Sequence, residues 1–504
     1  MGNGKRSRRG GSQKKVDTKR SRSTFTQKLA KLTDHQFVGG ITVALALGLT
    51  TWVASRISCG PKPLQDLVTE FAETRQILSN NRGQLSALAR HTHQADSTLT
   101  SAYPVMEFGA LIAPDESWLH PNGLVPLSAV NVEWEENPSQ VNLDEFQFEN
   151  PPFTKANGYS SDILGYAQTI AELNAPLGRY DKLGQKGEVP EQFETWHSRL
   201  AAIDSSYMFD GDLLRATKFL HTPAGYELRV APATYFQFTN SCEVFAHELA
   251  GAVRQADATR QLRDARTLND WEKLQSQIGN LRLRHKYWDV FEFRRRAVGI
   301  GISVLFIRLD SSNRSQPQHQ FYFHDRRVGT ASEAMGSLHV VPAGGFIASR
   351  GQTPSGGSGD KPRIEDQVII ETLDELFGVK IEEKLRVSPE PLEKLDSTAA
   401  EIISKLRDGA WQLFFAGAGV DPLNLKLEIC LALVARCTDQ DRLLNGVNDP
   451  HREGAVLRVP FTREKLAEYS GNPNCLPAAK VCLDWALRNY NAILSRSKVP
   501  DGKR

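Results

Sequence analysis

The chain has 504 residues, with 61 Lys and Arg against 59 Asp and Glu, a formal net charge of +2 and 40% hydrophobic residues. This length allows several domains around a sizeable core, and the near balance of charge excludes a polyanion-binding role for the protein as a whole. The six cysteines form no C-x-x-C pair, which excludes zinc sites of the usual spacing. We expect them to behave as small buried hydrophobic residues.

The first 36 residues form a basic segment that contains eleven Lys or Arg, two Asp and almost no apolar side chain. Such a segment cannot bury a core, so we expect it to be disordered. A tail of this charge either sets the orientation of a following membrane segment or binds anionic lipid headgroups or nucleic acid. We favour the orienting role and expect no specific nucleic-acid partner.

Residues 37–55 are a 19-residue stretch without a charge, F-V-G-G-I-T-V-A-L-A-L-G-L-T-T-W-V-A-S. A membrane-spanning helix needs roughly 20 apolar residues, and Trp52 lies near one end, where interfacial aromatic residues are found. A long basic lead and the lack of a small-x-small cleavage signature favour an uncleaved single-pass anchor over a signal peptide. Gly40, Ala44 and Gly48 share one face and would let two such spans approach. The positive-inside rule puts the tail in the cytoplasm, so the body of the protein would lie outside. That location conflicts with an intracellular nucleotide role. The sequence leaves open on which side of the membrane the body lies.

The segment 63–98 has the composition of a helix in which Leu64, Phe71, Leu78 and Leu85 recur every seven residues. This spacing predicts either a helical stalk near the membrane that can pair with a second copy, or an amphipathic helix packed on its own domain. Residues 99–159 are rich in Pro, Asn and acidic residues with poor periodicity, so we expect a linker or an irregular cap there. Residues 160–290 combine helical patterns with strand-like pieces and form a predicted α+β accessory region. Within it, the basic run of residues 282–286 is expected to be a solvated face, and phosphate capture is the alternative.

Residues 291–440 contain the pattern of a mixed sheet. The apolar run Ala297–Leu309 predicts a central strand, and Gln320–Phe323 is its expected neighbour. Arg326 and Arg327 follow directly, at the end of a strand, where ligand-binding groups gather. They can hold a diphosphate, or they can be a solvent-exposed pair in a loop. The remaining residues, 441–504, are predicted to be a helical extension.

A short acidic helix is predicted from Arg363 to Gly378, with the glycine as its stop signal. Its apolar residues recur at helical spacing and are expected to face the core; they are Val368, Ile369, Leu373 and Leu376. Glu371 and Glu375 are four residues apart and share a face, with Asp374 beside them. Carboxylates crowded in this way repel each other unless a cation lies between them, and Mg²⁺ prefers oxygen ligands. The alternative is a solvated acidic surface.

The segment upstream of this helix, S-L-H-V-V-P-A-G-G-F at 337–346, reads as a strand that ends in a glycine-containing turn. A strand, a Gly-rich loop and a helix with clustered carboxylates together resemble the Nudix hydrolase superfamily. That family's helix carries Arg-Glu, two residues, then Glu-Glu; here the matching positions are Ile370-Glu371 and Asp374-Glu375. Further phrases resemble a Nudix-like module of actinobacterial regulatory and defence-associated proteins, among them S-C-E-V-F-A-H-E-L-A, F-Y-F-H-D-R-R and F-F-A-G-A-G-V-D-P-L-N-L-K-L-E-I-C.

This resemblance implies an α/β (α+β) fold, a Nudix-like α/β/α sandwich with a mixed sheet, joined to the predicted transmembrane helix and stalk. It implies that Asp374 and Glu375 hold Mg²⁺ (or Mn²⁺), and that Glu371 is the catalytic base or binds a further ion. Glu428 is implied as a later metal ligand. Gly344 and Gly345 are implied to let the backbone approach a phosphate.

The predicted function is a membrane-anchored, metal-dependent hydrolase of a nucleoside diphosphate linked to another moiety. Ile370 takes the place of the family's arginine, so the alternative is a catalytically degenerate nucleotide-binding sensor at the membrane. The expected partners are a nucleotide-type small molecule, the membrane through residues 37–55, and a second copy of the chain through the span and the stalk.

Overall fold

The computed structural model describes residues 73–74, 76–94, 111–141, 212–279, 281–287, 289–310, 319–325, 337–347, 361–379, 392–437 and 455–496. The predicted basic tail, the predicted span 37–55 and the pair Arg326 and Arg327 lie outside these ranges. Within them, no helix has both the length and the apolar character that crossing a bilayer requires.

The described chain is a mixed α/β structure with two sheets. The strands are β1 (Val125–Pro126), β2 (Val130–Trp134), β3 (Asp212–Thr222), β4 (Gly225–Thr234), β5 (Ile300–Asp310), β6 (Gln320–Asp325), β7 (Leu338–Val340), β8 (Ala343–Gly345), β9 (Trp411–Val420), β10 (Leu427–Cys437) and β11 (Ala455–Pro460). The helices are α1 (Arg82–Gln94), α2 (Glu116–Leu119), α3 (Tyr235–Phe238), α4 (Val244–Gln255), α5 (Thr259–Asp264), α6 (Leu268–Ile278), α7 (Arg282–Lys286), α8 (Ile364–Glu371), α9 (Leu392–Leu395), α10 (Ser397–Arg407), α11 (Arg463–Ser470), α12 (Pro477–Arg488) and α13 (Tyr490–Ser495). Two π-helical turns, 239–243 and 372–376, precede α4 and follow α8.

The larger sheet has the strand order β1-β9-β10-β5-β6-β11, and the short strands β7 and β8 pair with β6 and β5. β5 and β10 pair in parallel along their full length, whereas β9 and β10 are antiparallel, so the sheet is mixed as predicted. β5 is buried at nearly every position on both faces, which is why the sequence there is a continuous apolar run.

Helices cover both faces of this sheet. α8 packs on β5 and β8, and α10 packs on β9, while α12 packs on β5, β9 and β10. Side chains alternate along a strand, so Ile302 and Ser303 of β5 face opposite sides of the sheet. Ile302 pairs with Gly344, which lies under α8; Ser303 pairs with Cys430, whose thiol contacts Ala478 O in α12 at 3.5 Å.

Residues 111–141 are part of the fold, which corrects the expectation of a linker or irregular cap for 99–159. β1 adds an edge strand to the large sheet through Val125 and Phe415, and β2 joins β4 and β3 in a three-stranded second sheet. The described residues of the region 160–290 form β3, β4 and the helices α3 to α7. The C-terminal part is also more than an extension, since β11 pairs with β6 and α12 supplies one layer of the core.

Helix α1 packs on α4, α5 and α6, and residues 78–89 contribute to a second apolar core there. Leu78, Leu85 and Leu88 are at most 2% exposed. Of the two alternatives for this segment, the packed amphipathic helix is therefore the one observed, and these leucines are not available for pairing between copies. Five cysteines lie in the described part of the chain, and all five are buried and free, as expected.

Buried arginines fix the connection between β9 and β10. Arg284 donates to Pro422 O at 2.7 Å and to Leu423 O, and Arg296 donates to Leu425 O at 3.1 Å. Arg284 is 4% exposed, so the expected solvated basic face at 282–286 is wrong for this residue, although His285 and Lys286 are exposed. Glu248 completes the network by accepting the backbone N–H groups of Leu283 and Arg284 at 2.8 and 3.1 Å.

Truncating Leu88 tests whether α1 is part of the folded core. Leu88→Ala should lower the free energy of unfolding by about 2–5 kcal/mol, the usual cost of removing a buried leucine. Leu268→Ala is the matched control, because Leu268 is 71% exposed and its loss should change stability by less than about 0.5 kcal/mol. Chemical denaturation measures both. Equal, small effects for the two variants would contradict the packing of α1.

The Glu248 carboxyl should make stability depend on pH. Burial raises its pKa from 4.5 to about 7, opposed by the charge of Arg284 and by the two N–H bonds. Because the folded-state pKa lies above the unfolded one, the stabilising contribution is full below about pH 4.5 and is lost as the pH rises to about 7, by about 3 kcal/mol. Between these pH values Glu248→Gln should therefore gain stability relative to the wild type.

Unfolding curves from pH 4.5 to 7 check this expectation. Glu401→Gln is the control, since Glu401 lies on an open surface of α10 and its difference from the wild type should not vary with pH in this way. A pH-independent difference for Glu248→Gln would show that the carboxyl is ionised throughout this range.

Candidate carboxylate site

The acidic helix is present as α8 followed directly by the π-helical turn 372–376. Its apolar residues are buried as predicted, with Val368, Ile369 and Leu373 at most 2% exposed. Gly378 adopts a φ of +64°, the left-handed conformation in which glycine commonly ends helices, so the predicted stop is confirmed. The wider π turn begins directly after Glu371 and contains Asp374 and Glu375, and such turns are frequent at functional sites.

Glu371 lies against β8. Its side chain is 7% exposed, and Gln367 Nε2 donates to its Oε1 at 2.5 Å. A Cβ placed on Gly344 would lie 2.5 Å from the Glu371 carboxyl carbon and 2.6 Å from Oε1. The carboxylate therefore occupies the space that the missing side chain of Gly344 leaves open.

Glu375 reaches the neighbouring residue of the same strand. It is 5% exposed, and the Ala343 N–H donates to its Oε2 at 2.7 Å. The structure thus brings two of the predicted carboxylates to the Pro-Ala-Gly-Gly segment, and it excludes the alternative in which they form a solvated acidic surface. Asp374, between them in sequence, is half-buried.

Glu428 lies on the other side of the sheet, so its predicted place beside the three carboxylates is not observed. It pairs with Gly301 across β10 and β5, and a Cβ on Gly301 would lie 2.2 Å from its Oε2. Gly301 pairs in turn with Gly345 of β8. The next residue of that strand, Gly344, faces the opposite side of the sheet, where Glu371 lies. The sheet therefore separates Glu428 from the carboxylate site, and Gly345 shares the face of Glu428.

Glu428 belongs to a buried polar chain that the sequence analysis missed. Ser303 Oγ donates to Glu428 Oε2 at 3.1 Å, Lys426 Nζ lies 3.4 Å from Oε1, and His339 Nε2 lies 3.4 Å from Ser303 Oγ. The alternation of Lys426 and Glu428 in a strand predicts a shared face, but Ser303 and His339 are brought to it only by strand pairing. Gln367, the hydrogen-bond partner of Glu371, could have been identified from the sequence, because it lies four residues before Glu371 on the same helix.

The residues present suit a magnesium site of limited size. No group of three or more His, Cys, Asp or Glu side chains is arranged to hold a metal ion within the described ranges. Mg²⁺ commonly binds through one or two carboxylates and completes its shell with water and substrate phosphates. Glu371 and Glu375 supply two buried carboxylates of this kind beside β8, and the Glu371 carboxylate fills the space above Gly344.

The chain matches no protein-family model and no curated protein.

Adding one methyl group to β8 tests the contact between strand and carboxylate. Gly344→Ala should displace the Glu371 carboxylate and lower the free energy of unfolding by about 1–3 kcal/mol, as overpacking does. Gly345→Ala is the matched control, because the nearest atom to its new Cβ is Leu213 Cδ2 at 3.4 Å, an ordinary contact. Thermal unfolding with and without Mg²⁺ measures the difference. The contact would be disproved if both variants behaved alike.

Proposed function

We propose that the chain is a membrane-anchored Nudix-like protein that hydrolyses a nucleoside diphosphate linked to another moiety, with Mg²⁺ held at Glu375 and Asp374. The observation that carries the proposal is the meeting of two buried carboxylates, Glu371 and Glu375, with the Ala343–Gly344 backbone. A mixed sheet with helices on both faces, and the position of β8 before α8 along the chain, support the Nudix resemblance. The anchor rests on the sequence of residues 37–55.

Bound Mg²⁺ would polarise the diphosphate and neutralise its charge. In this proposal Glu375 and Asp374 supply the oxygen ligands, and the Ala343 N–H fixes the orientation of the Glu375 carboxylate. Glu371 acts as the general base that takes a proton from the attacking water, and Gln367 Nε2 holds its Oε1 in position. The absence of a side chain at Gly344 leaves room for the Glu371 carboxylate beside β8. Arg326 and Arg327 remain candidates for holding the diphosphate.

The second candidate function is a nucleotide sensor without turnover. Ile370 favours it, because this residue is 4% exposed and packs apolar atoms where the Nudix pattern has an arginine. The carboxylates are oriented here by Gln367 and the Ala343 N–H, which are neutral donors. Such a site still binds Mg²⁺ and a diphosphate, but it signals that the nucleotide is bound and releases no product.

Hydrolysis by the full-length chain in detergent separates these functions. A panel of nucleoside diphosphate conjugates with Mg²⁺ is assayed for release of phosphate or nucleoside monophosphate. Glu371→Gln should lower kcat by about 10²–10⁴-fold, the usual contribution of a general base. Glu375→Gln should weaken Mg²⁺ binding, while the Ala343 N–H can still donate to the amide oxygen and maintain the fold.

Glu365→Gln is the control on the same helix, because Glu365 is partly exposed and pairs with Arg363 at 3.0 Å, away from β8. It should leave kcat within about twofold of the wild type. Saturable Mg²⁺-dependent binding without turnover would support the sensor instead. The absence of both binding and turnover across the panel would contradict both functions.

A further inference from the structure

A small cavity lies between α1 and the N-terminal end of α12. Its volume is about 80 Å³, and its walls include Gly83, Gln84 and Ser86 of α1 and Pro477 and Lys480 of α12. A cavity needs only about 10–15 Å³ of such space to hold one water molecule, so this one has room for a small ligand. The cavity is on the α12 side of the fold and shares no residue with the carboxylate site.

Ser86 supplies a buried group that requires a partner. Its side chain is 1% exposed, and its hydroxyl has no hydrogen-bond partner among the described residues. A buried hydroxyl without a partner costs about 1–3 kcal/mol, so a bound water, ion or ligand is expected to satisfy it. Because Ser86 lines the cavity, a hydrogen-bond acceptor held there would supply the missing partner.

Positive charge converges on the same space. Lys480 lies in the first turn of α12, a helix of 12 residues whose N-terminus has no side-chain cap. A lysine there is unfavourable, because the N-terminal end of a helix is itself positive. Arg266 also lines the cavity, and no Asp or Glu is among the described residues of its wall. An anion between Lys480, Arg266 and the helix end would offset this accumulated positive charge.

The polar side chains in the wall can all donate hydrogen bonds. Arg266 is held at the cavity by two bonds from a single nitrogen, Nη1, to Arg263 O at 2.7 Å and Ala265 O at 2.6 Å. A guanidinium has five N–H donors, so these bonds leave others for a ligand. Gln84, Ser86 and Lys480 add an amide, a hydroxyl and an ammonium group. Donors without a facing carboxylate match the chemistry of phosphate.

The walls cannot collapse into the space. A Cβ on Gly83 would lie 2.2 Å from Pro473 O, so α1 already touches the segment that leads into α12. That segment is tied to β7, since Leu338 N donates to Asn474 O at 2.9 Å and Leu476 N donates to Leu338 O at 3.0 Å. The backbone on this side of the cavity is therefore held in place, which lowers the cost of ordering it around a ligand.

We propose that the cavity between α1 and α12 is a binding site for a phosphate-class oxyanion, held by Ser86, Arg266, Lys480 and the N-terminus of α12. The ligand is either free phosphate or the terminal phosphate of a monoester. Occupancy links α1 to the sheet through α12, so the anion stabilises the docking of the N-terminal helix. The site is independent of Glu371 and Glu375, so its failure would leave the proposed hydrolase function untouched.

Thermal unfolding of the full-length chain in detergent, titrated with inorganic phosphate at constant ionic strength, tests this site. Phosphate should raise the Tm of the wild type by about 2 °C or more at saturation. Ser86→Ala should weaken phosphate binding about tenfold, and Lys480→Gln about 10–100-fold, as expected for the loss of a neutral and a charged hydrogen-bond donor. Lys480→Arg should restore most of the binding.

Lys273→Gln and Ser276→Ala are matched controls on the exposed face of α6, and both should bind phosphate like the wild type. A second titration with adenosine monophosphate, run on the wild type and on Lys480→Gln, distinguishes the sources of the phosphate group, because only a response from a monoester bound in this cavity is lost in the variant. The proposal is overturned if phosphate has no effect on the wild type. It is equally overturned if Ser86→Ala and Lys480→Gln, shown by circular dichroism to be folded, respond as the wild type does.

Discussion

The central constraint on this structure is the space above two glycines in neighbouring strands. A carboxylate fills the place of the absent side chain in each, Glu371 over Gly344 and Glu428 over Gly301. The Cβ of any larger residue at either position would lie less than 3 Å from a carboxyl group, so each acid packs directly against its strand. The helix that carries Glu371 is held against β8, and Glu428 is held against β5 on the opposite face.

Part of this site could be predicted from the sequence alone. The helical spacing of Val368, Ile369 and Leu373 indicates which face of the acidic helix is buried, and Gly378 indicates where it ends; both expectations agree with the structure. The closeness of Glu371 and Glu375 is likewise local, since it depends on one helical turn. The glycines of β8 follow in the same stretch of sequence, which is why the strand–loop–helix unit is recognisable.

The rest depends on contacts that no local pattern records. The side of the sheet on which Glu428 lies is set by the pairing of β10 with β5, more than a hundred residues earlier in the chain. The sequence around Arg284 has the charged composition of a surface segment. Arg284 is nevertheless buried, because the carbonyl groups of Pro422 and Leu423 accept its N–H donors. The heptad spacing of the leucines in α1 is equally compatible with a stalk that pairs with a second copy and with a helix packed on its own domain. The packing of α1 on α4, α5 and α6 decides for the second.

The parallel pairing of β5 with β10 also has a consequence for synthesis. The two strands at the centre of the larger sheet are far apart in the chain, and β1 near residue 125 pairs with β9 near residue 415. A ribosome must therefore pass residue 437 before this apolar pair can close, and contacts of such long range form slowly. Until then the nascent chain leaves the apolar strand β5 without its partner, and exposed apolar surface of this kind promotes aggregation.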